Sequence, residues 1–192
     1  MKSSILVKTS LVVLLLESGL FISTALGQSR FTLSSGTITF YSSAPVEDIK
    51  AETTVISSVI DLDKSSVVFT VPVIGFRFSK RLMQQHFNEQ YMESEKYPLA
   101  TFSGTLSDTG FDKLTKGDVV KTRVNGLLTI KGISKDINVE VELRYGNDVI
   151  TGHSRMMVRL ADYSIKIPRM LIKNIAEEVE VTIDVNYKAE KL

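Results

Sequence analysis

Few residues of this chain have types and spacing that could do chemistry, and the stretch LMQQHFNEQYMESEKYPLATFSG (residues 82–104) holds the best of them. His86 and Glu89 are three residues apart, so on a helix they would share a face and could hold a metal ion between them. A zinc site needs three or four ligands, and His153, the other of two histidines, belongs to a strand-like stretch. His86 is therefore expected to be a hydrogen-bonded structural histidine, with Asn88 and Glu89 fixing the helix and its following turn. No metal and no cofactor is expected.

Other catalytic patterns are thin. The chain has no G-x-S-x-G elbow, no phosphate-cradling glycine loop, no H-E-x-x-H and no cysteine. Glu140 and Glu142 alternate with valines, as the solvated face of a strand does, and not as an acid/base pair. Lys166 and Arg169 in DYSIKIPRM (162–170) could meet an anionic head group, although a turn with ordinary surface charge explains them as well. No catalytic residue is assigned.

The elements that must position these residues are mostly strands. In EVEVTIDVNY (178–187), Val179, Val181, Ile183, Val185 and Tyr187 fall on one face and Glu178, Glu180, Thr182, Asp184 and Asn186 on the other. Val139, Val141, Val181, Ile183 and Val185 are expected to be buried, and Glu140, Glu142, Glu180 and Asp184 exposed. INVEVELRY (137–145) alternates in the same way, and VNGLLTI (124–130) with a turn at KGISKD (131–136) completes a hairpin. SRMMVRL (154–160) sets Met156, Val158 and Leu160 opposite two arginines. Further strands are expected at 31–40, 49–60, 66–78 and 99–106. The stretch 66–78 is apolar on both faces, so its inward face stays open, and Pro72 within it indicates an edge or a bulge.

Residues 82–91 break this pattern. Leu82, Met83, His86, Phe87 and Tyr91 lie on one half of a helix, with Ser79 as a candidate cap, and Pro98 stops the helix before a strand at Leu99. About eight strands with almost no helix to cover them must close into a barrel or pair as a sandwich. In a barrel the short helix would lie across one open end, with its apolar side turned inward.

Composition narrows the setting of this domain. A basic start, the apolar run LVVLLL (11–16) and the small residues Ala25 and Gly27 read as an export signal cleaved before Gln28; a retained anchor is the rival, but Glu17 interrupts the run. A spanning helix needs about 20 apolar residues, and no later segment provides them. Of 192 residues, 23 are basic and 22 acidic; without Lys2, Lys8 and Glu17 the counts are 21 and 21. A neutral chain lacks the positive field that nucleic-acid binding needs. With no cysteine the exported chain cannot rely on disulfides. Residues 28–192 read as one domain.

HFNEQYMESEKYPLATFSG, then VNGLLTIKGISKDINVEVEL, then DYSIKIP and VEVTIDV, resemble the YceI-like family of exported lipid-binding proteins, over nearly the whole of the chain from residue 36 to about residue 187. Lys131 departs from that pattern, standing where the family often has histidine or arginine. The resemblance implies an all-β, eight-stranded antiparallel lipocalin-like barrel with a short helix between strands. It also implies a long apolar tunnel for a polyisoprenoid, an isoprenoid-quinone-like molecule or another long-chain lipid. In such a tunnel Phe69, Val71, Phe87, Tyr91, Phe102, Leu128, Ile130, Val139, Val141, Met156, Val158, Val181 and Ile183 would line the cavity. The location implied is the periplasm or the exterior, the partner a lipid and not nucleic acid, with a homodimer left open. Two rivals stand beside binding and transport: an enzyme acting on a lipid-like substrate, and a filled barrel that binds through its surface.

Overall fold

Alternation of apolar and polar residues runs through ten strands and makes a wall with one hydrocarbon face. The computed structural model describes residues 30–107, 114, 118–167 and 175–190; residues 1–27, expected to be a signal, and Arg169 lie outside them. The strands are β1 (Arg30–Ser42), β2 (Ile49–Thr53), β3 (Ser57–Asp61), β4 (Ser66–Pro72) and β5 (Arg77–Phe78), followed by β6 (Leu99–Leu106), β7 (Val119–Ile130), β8 (Ile133–Gly146), β9 (Val149–Arg159) and β10 (Glu178–Ala189). All pairings are antiparallel, and β1 pairs with β10 from Phe31↔Ala189 to Tyr41↔Glu180, which closes the ring. The barrel is eight-stranded in outline, because two wall positions are each built from two short pieces.

These breaks correct two sequence expectations. The strand expected over 49–60 is interrupted at 54–56: β2 pairs with β1 over Ile38–Ser42, and β3 pairs with it over Arg30–Thr32. The Thr53 hydroxyl accepts a hydrogen bond from the Val55 N–H at 3.1 Å, which turns the backbone out of the ladder. The strand expected over 66–78 ends at Pro72, which has no N–H to donate, and a 3-10 turn (Val73–Gly75) precedes β5. A third correction concerns the hairpin at 131–136. Its turn is only Lys131 and Gly132, at φ 50° and 73°, the left-handed pair that suits the twist of a two-residue hairpin.

Closure selects the inward parity of each strand. Even residues point inward on β3, β6, β7 and β9, and odd residues on β4, β8 and β10, while β1 changes from odd (Phe31) to even (Ile38, Phe40, Ser42) at a bulge between Leu33 and Ser35. At the end where β1 begins, Phe31, Ile60, Val67, Leu106, Leu143, Ile150 and Tyr187 form a packed cluster. At the opposite end, Met92, Val158, Tyr163, Ile165 and Val179 form a second. Fully burying one such aliphatic side chain stabilises by about 1.5–3 kcal/mol. On the outer face, Lys121–Glu142, Arg123–Glu140, Arg155–Glu180 and Arg159–Glu178 pair across strands, exposed to solvent. Such pairs contribute little, roughly 0–1 kcal/mol each.

Between β5 and β6 the chain forms a helix, α1 (Arg81–His86), that continues as a π-helical turn (Phe87–Tyr91). The Met92 N–H donates to the Phe87 carbonyl five residues back, at 2.9 Å. Ser79 does not cap the helix: Lys80 holds that position, without a side-chain cap. The segment after the helix is tied to the β7–β8 hairpin. Lys131 Nζ lies 2.6 Å from Glu93 Oε1 with only 12% of the lysine side chain exposed, so the ammonium depends on that carboxylate.

Two measurements test this account. Ile150 is 1% exposed, so Ile150→Asp places an unpaired carboxylate in hydrocarbon and is expected to destabilise by several kcal/mol in urea titration. Glu140→Ala, on the exposed face, should stay within about ±0.5 kcal/mol; equal effects would mean that the parity is wrong. Glu93 is held below its ordinary value of 4.5, first by the hydrogen bond from Lys131 and then by the charges of Lys131 and Lys96. A carboxyl lowered on folding contributes stability that is present above the unfolded value and is lost as pH falls through the folded one. Stability is therefore expected to decline below pH 4.5 by a component that Glu93→Gln removes; an unchanged acid slope in that variant would contradict it.

Candidate ligand-binding cavity

The inward residues enclose a lumen of about 540 Å³. This volume falls within the roughly 300–1,000 Å³ of small-molecule pockets. Each residue expected on the inner wall lies there. Phe69 and Val71 come from β4, Phe102 from β6, Leu128 and Ile130 from β7, and Val139 and Val141 from β8. Met156 and Val158 come from β9, Val181 and Ile183 from β10, and Phe87 and Tyr91 from the π-helical turn. One expectation needs adjustment. Val141, Val181 and Ile183 are half-buried and not buried, because they face the lumen and not a packed core. Glu180, expected to be exposed, is half-buried with Arg155 3.6 Å away.

Two features of the wall had weak sequence signals. Phe40, Phe76 and Phe78 gather around Phe87: the Phe40 and Phe87 rings stack with centroids 5.6 Å apart, and Phe78 lies 5.0 Å from Phe87. Strand parity would have placed Phe40 inward, but Phe76 and Phe78 depend on the break after Pro72. The second feature is a facing glycine pair. Gly104 and Gly126 are opposite one another on β6 and β7, and the Phe102 ring lies across both. A Cβ on Gly104 would stand 2.5 Å from the ring, and one on Gly126 would stand 2.7 Å from it. Glycine inside a strand is the available sign of such a close approach.

The polar groups are few and unevenly placed. Ser42, Glu47, Lys80 and His86 line the lumen at the helix end, where Lys80 is ion-paired with Glu47 and its side chain is 60% exposed. His86 lines the lumen and makes no side-chain hydrogen bond among the described residues, where it was expected to be a hydrogen-bonded structural histidine. The side-chain oxygen of Asn88 is also buried without a partner there, so Asn88 does not brace the turn through that atom, whereas Glu89 accepts from Gln85 at 3.2 Å. His153 is hydrogen-bonded to Asp184 at 2.7 Å with nearly half of its side chain exposed. Lys166 is exposed.

At the other end, Ser58 donates to the Val68 carbonyl at 2.8 Å, which leaves its oxygen to accept from the Tyr187 hydroxyl at 2.6 Å. Burial pushes the Tyr187 phenol well above its ordinary value, so it stays protonated as a donor. Burial also raises the Tyr91 phenol. The hydroxyl of Ser154 donates to the Glu140 carbonyl at 2.8 Å. Chemically, the arrangement can enclose hydrocarbon along its length and meet a polar group at the helix end.

Residues 22–187 match the YceI-like domain. No curated protein matches the chain. Among solved structures, a polyisoprenoid binding domain from Saccharophagus degradans implicated in plant cell wall breakdown has a TM-score of 0.74 at 16% identity, covering 83% of this chain and 98% of that one. Burkholderia cenocepacia BcnA gives 0.67 at 17% identity, covering 79% and 95%. Campylobacter jejuni YCEI protein gives 0.59 at 19% identity, covering 77% and 88%. At such identities the structural likeness concerns the barrel itself. The domain match extends over most of the sequence and over nearly all of the wall described above, and on that ground the chain belongs to the YceI-like family.

Proposed function

We propose that this protein binds a long apolar lipid of the polyisoprenoid class non-covalently in its lumen, and stores or carries it in the cell envelope. The observation that carries this reading is the 540 Å³ lumen walled almost entirely by hydrocarbon side chains. Each buried CH₂ of a lipid gains about 0.8 kcal/mol, so such a wall competes with the bilayer that the lipid leaves. The residues named above act as packing surface, and Ser42, Glu47, Lys80 and His86 meet the head group. The polyisoprenoid binding domain with the same barrel supports this choice of lipid. A reading of residues 1–27 as an export signal supports a location in the periplasm or outside the cell.

A lumen of this size argues against the filled barrel. An enzyme would need a nucleophile and a base within hydrogen-bond reach of one another. Among the described lumen residues the polar groups are instead engaged elsewhere: Lys80 with Glu47, Ser42 with the Ala176 N–H, and Ser154 with the Glu140 carbonyl. Binding is the reading that these groups support.

Native mass spectrometry of protein purified from the envelope fraction should find a bound species with the mass of an isoprenoid lipid, released by organic solvent. Protein that carries no lipid, and takes up none from polyprenol-containing phosphatidylcholine vesicles, would refute the proposal. Phe87→Ala should release the lipid faster, since it removes the ring at the centre of the aromatic cluster under the helix. Its stability cost should be no more than about 3 kcal/mol, the low end for a buried phenylalanine, because Phe87 is half-buried. Release is compared at a temperature where circular dichroism shows both proteins folded. Unchanged release in folded Phe87→Ala would make the helix a connector and not a gate.

A further inference from the structure

Among the described residues the lumen does not run through the barrel. Its lining stops at a ring made by Ile60, Leu106, Leu143 and Tyr187. Beyond that ring Phe31 and Ile150 are 4% and 1% exposed, and Phe31 meets Tyr145 edge-to-face with centroids 6.3 Å apart. We propose that this closed end is a floor that measures the lipid tail, and that Tyr187 is the residue setting its height. The inference rests on the lumen being a lipid site and adds a length limit to it.

Three observations carry it. The first is the contrast along β10: Val185 and Tyr187 are 6% and 1% exposed, while Val181 and Ile183, on the same inward face, are only half-buried, so the wall is open along its middle and packed at the Tyr187 end. The second is the anchoring of the Tyr187 ring. Its hydroxyl bonds to Ser58 of β3, on the far side of β1, and Ser58 is itself fixed to the Val68 carbonyl of β4. A phenol bonded in hydrocarbon cannot swing away without leaving buried polar groups unpaired, so the floor is rigid. The third is polarity. Ser42, Glu47, Lys80 and His86 lie at the helix end, which orients a head group there and sends the tail toward Tyr187.

The usable length is finite. Lining residues on β10 run from Val179 to Tyr187, about 26 Å of strand at the usual rise. At a strand tilt near 40° that is about 20 Å along the barrel axis. An isoprenoid tail gains contact with each added unit until its end reaches Tyr187. Units beyond that stay outside the mouth and gain nothing from the wall.

The test is binding of a series of polyprenyl alcohols differing by one isoprene unit, measured by competition against a fluorescent polyprenyl probe. Affinity should climb with length to a break and stay flat beyond it. Tyr187→Leu and Tyr187→Ala lower the floor and should move the break to longer alcohols. Ile183→Phe fills the lumen above the floor and should move it to shorter ones, while Tyr187→Phe keeps the ring and should keep the break. Thermal melts with circular dichroism establish which variants are folded; if Tyr187→Ala is not, Tyr187→Leu and Ile183→Phe carry the test. A wild-type series without a break, or a break that does not move in opposite directions in the folded variants, overturns the ruler and leaves lipid binding standing. Failure to bind an alcohol of any length overturns lipid binding itself.

Discussion

The hydrophobic effect acts on this chain through the alternation of its strands. On β10 the odd residues point inward and on β9 the even ones, and β1 does the same on either side of the bulge between Leu33 and Ser35. A sheet with one such face cannot stay flat in water, and it cannot leave edges unpaired without inviting other chains to join it. Closing β1 onto β10 answers both demands at once. Half of the side chains then point into a shared interior, which eight wall positions make just wide enough to be filled by side chains or to hold one small ligand. Here the inward side chains leave a lumen of about 540 Å³.

The two ends of that interior are finished differently. One is packed with aromatic and aliphatic groups and a single bonded pair of hydroxyls. The other is crossed by a helix that is held on its inner side by phenylalanines and at its exit by the Glu93–Lys131 pair. Lys131 follows β7 directly, so the hairpin that builds the wall also fixes the segment leaving the helix. The same ion pair accounts for a lysine where the family often has another basic residue: a long side chain reaches Glu93 while most of its own length is buried.

How much of this was legible in the sequence depended on the range of the interaction responsible. EVEVTIDVNY displays its parity in ten residues, so strand, inward face and neighbours on the wall could all be read. The inward face of 66–78 could not, because both faces are apolar and only closure of the ring chooses Val67, Phe69 and Val71. The break between β2 and β3 depends on one hydroxyl turned back onto the backbone, a choice that threonine in a strand does not announce. The π-helical turn is likewise invisible, since a helical stripe looks alike with four or five residues between bonded groups. The lumen volume and the packed floor were out of reach: Ser58 and Tyr187 are 129 positions apart, and nothing local to either indicates the other.

The seam between β1 and β10 also has a consequence in time. Its partners are far apart in sequence, 152 positions for Ser34 and Asn186, whereas β7–β8 and β8–β9 meet across two-residue turns. Local hairpins form within microseconds, but a contact between chain ends must overcome the entropy of closing nearly the whole chain. Pairings of that kind slow folding, so the expected order is hairpins first and the seam last. Pulse-labelling hydrogen exchange would read that order directly, with β1 and β10 amides protected after those of β7 and β8. Until the last strand docks, the inner wall faces water along its whole length, and the protein gains its cavity and hides its hydrocarbon in a single late step.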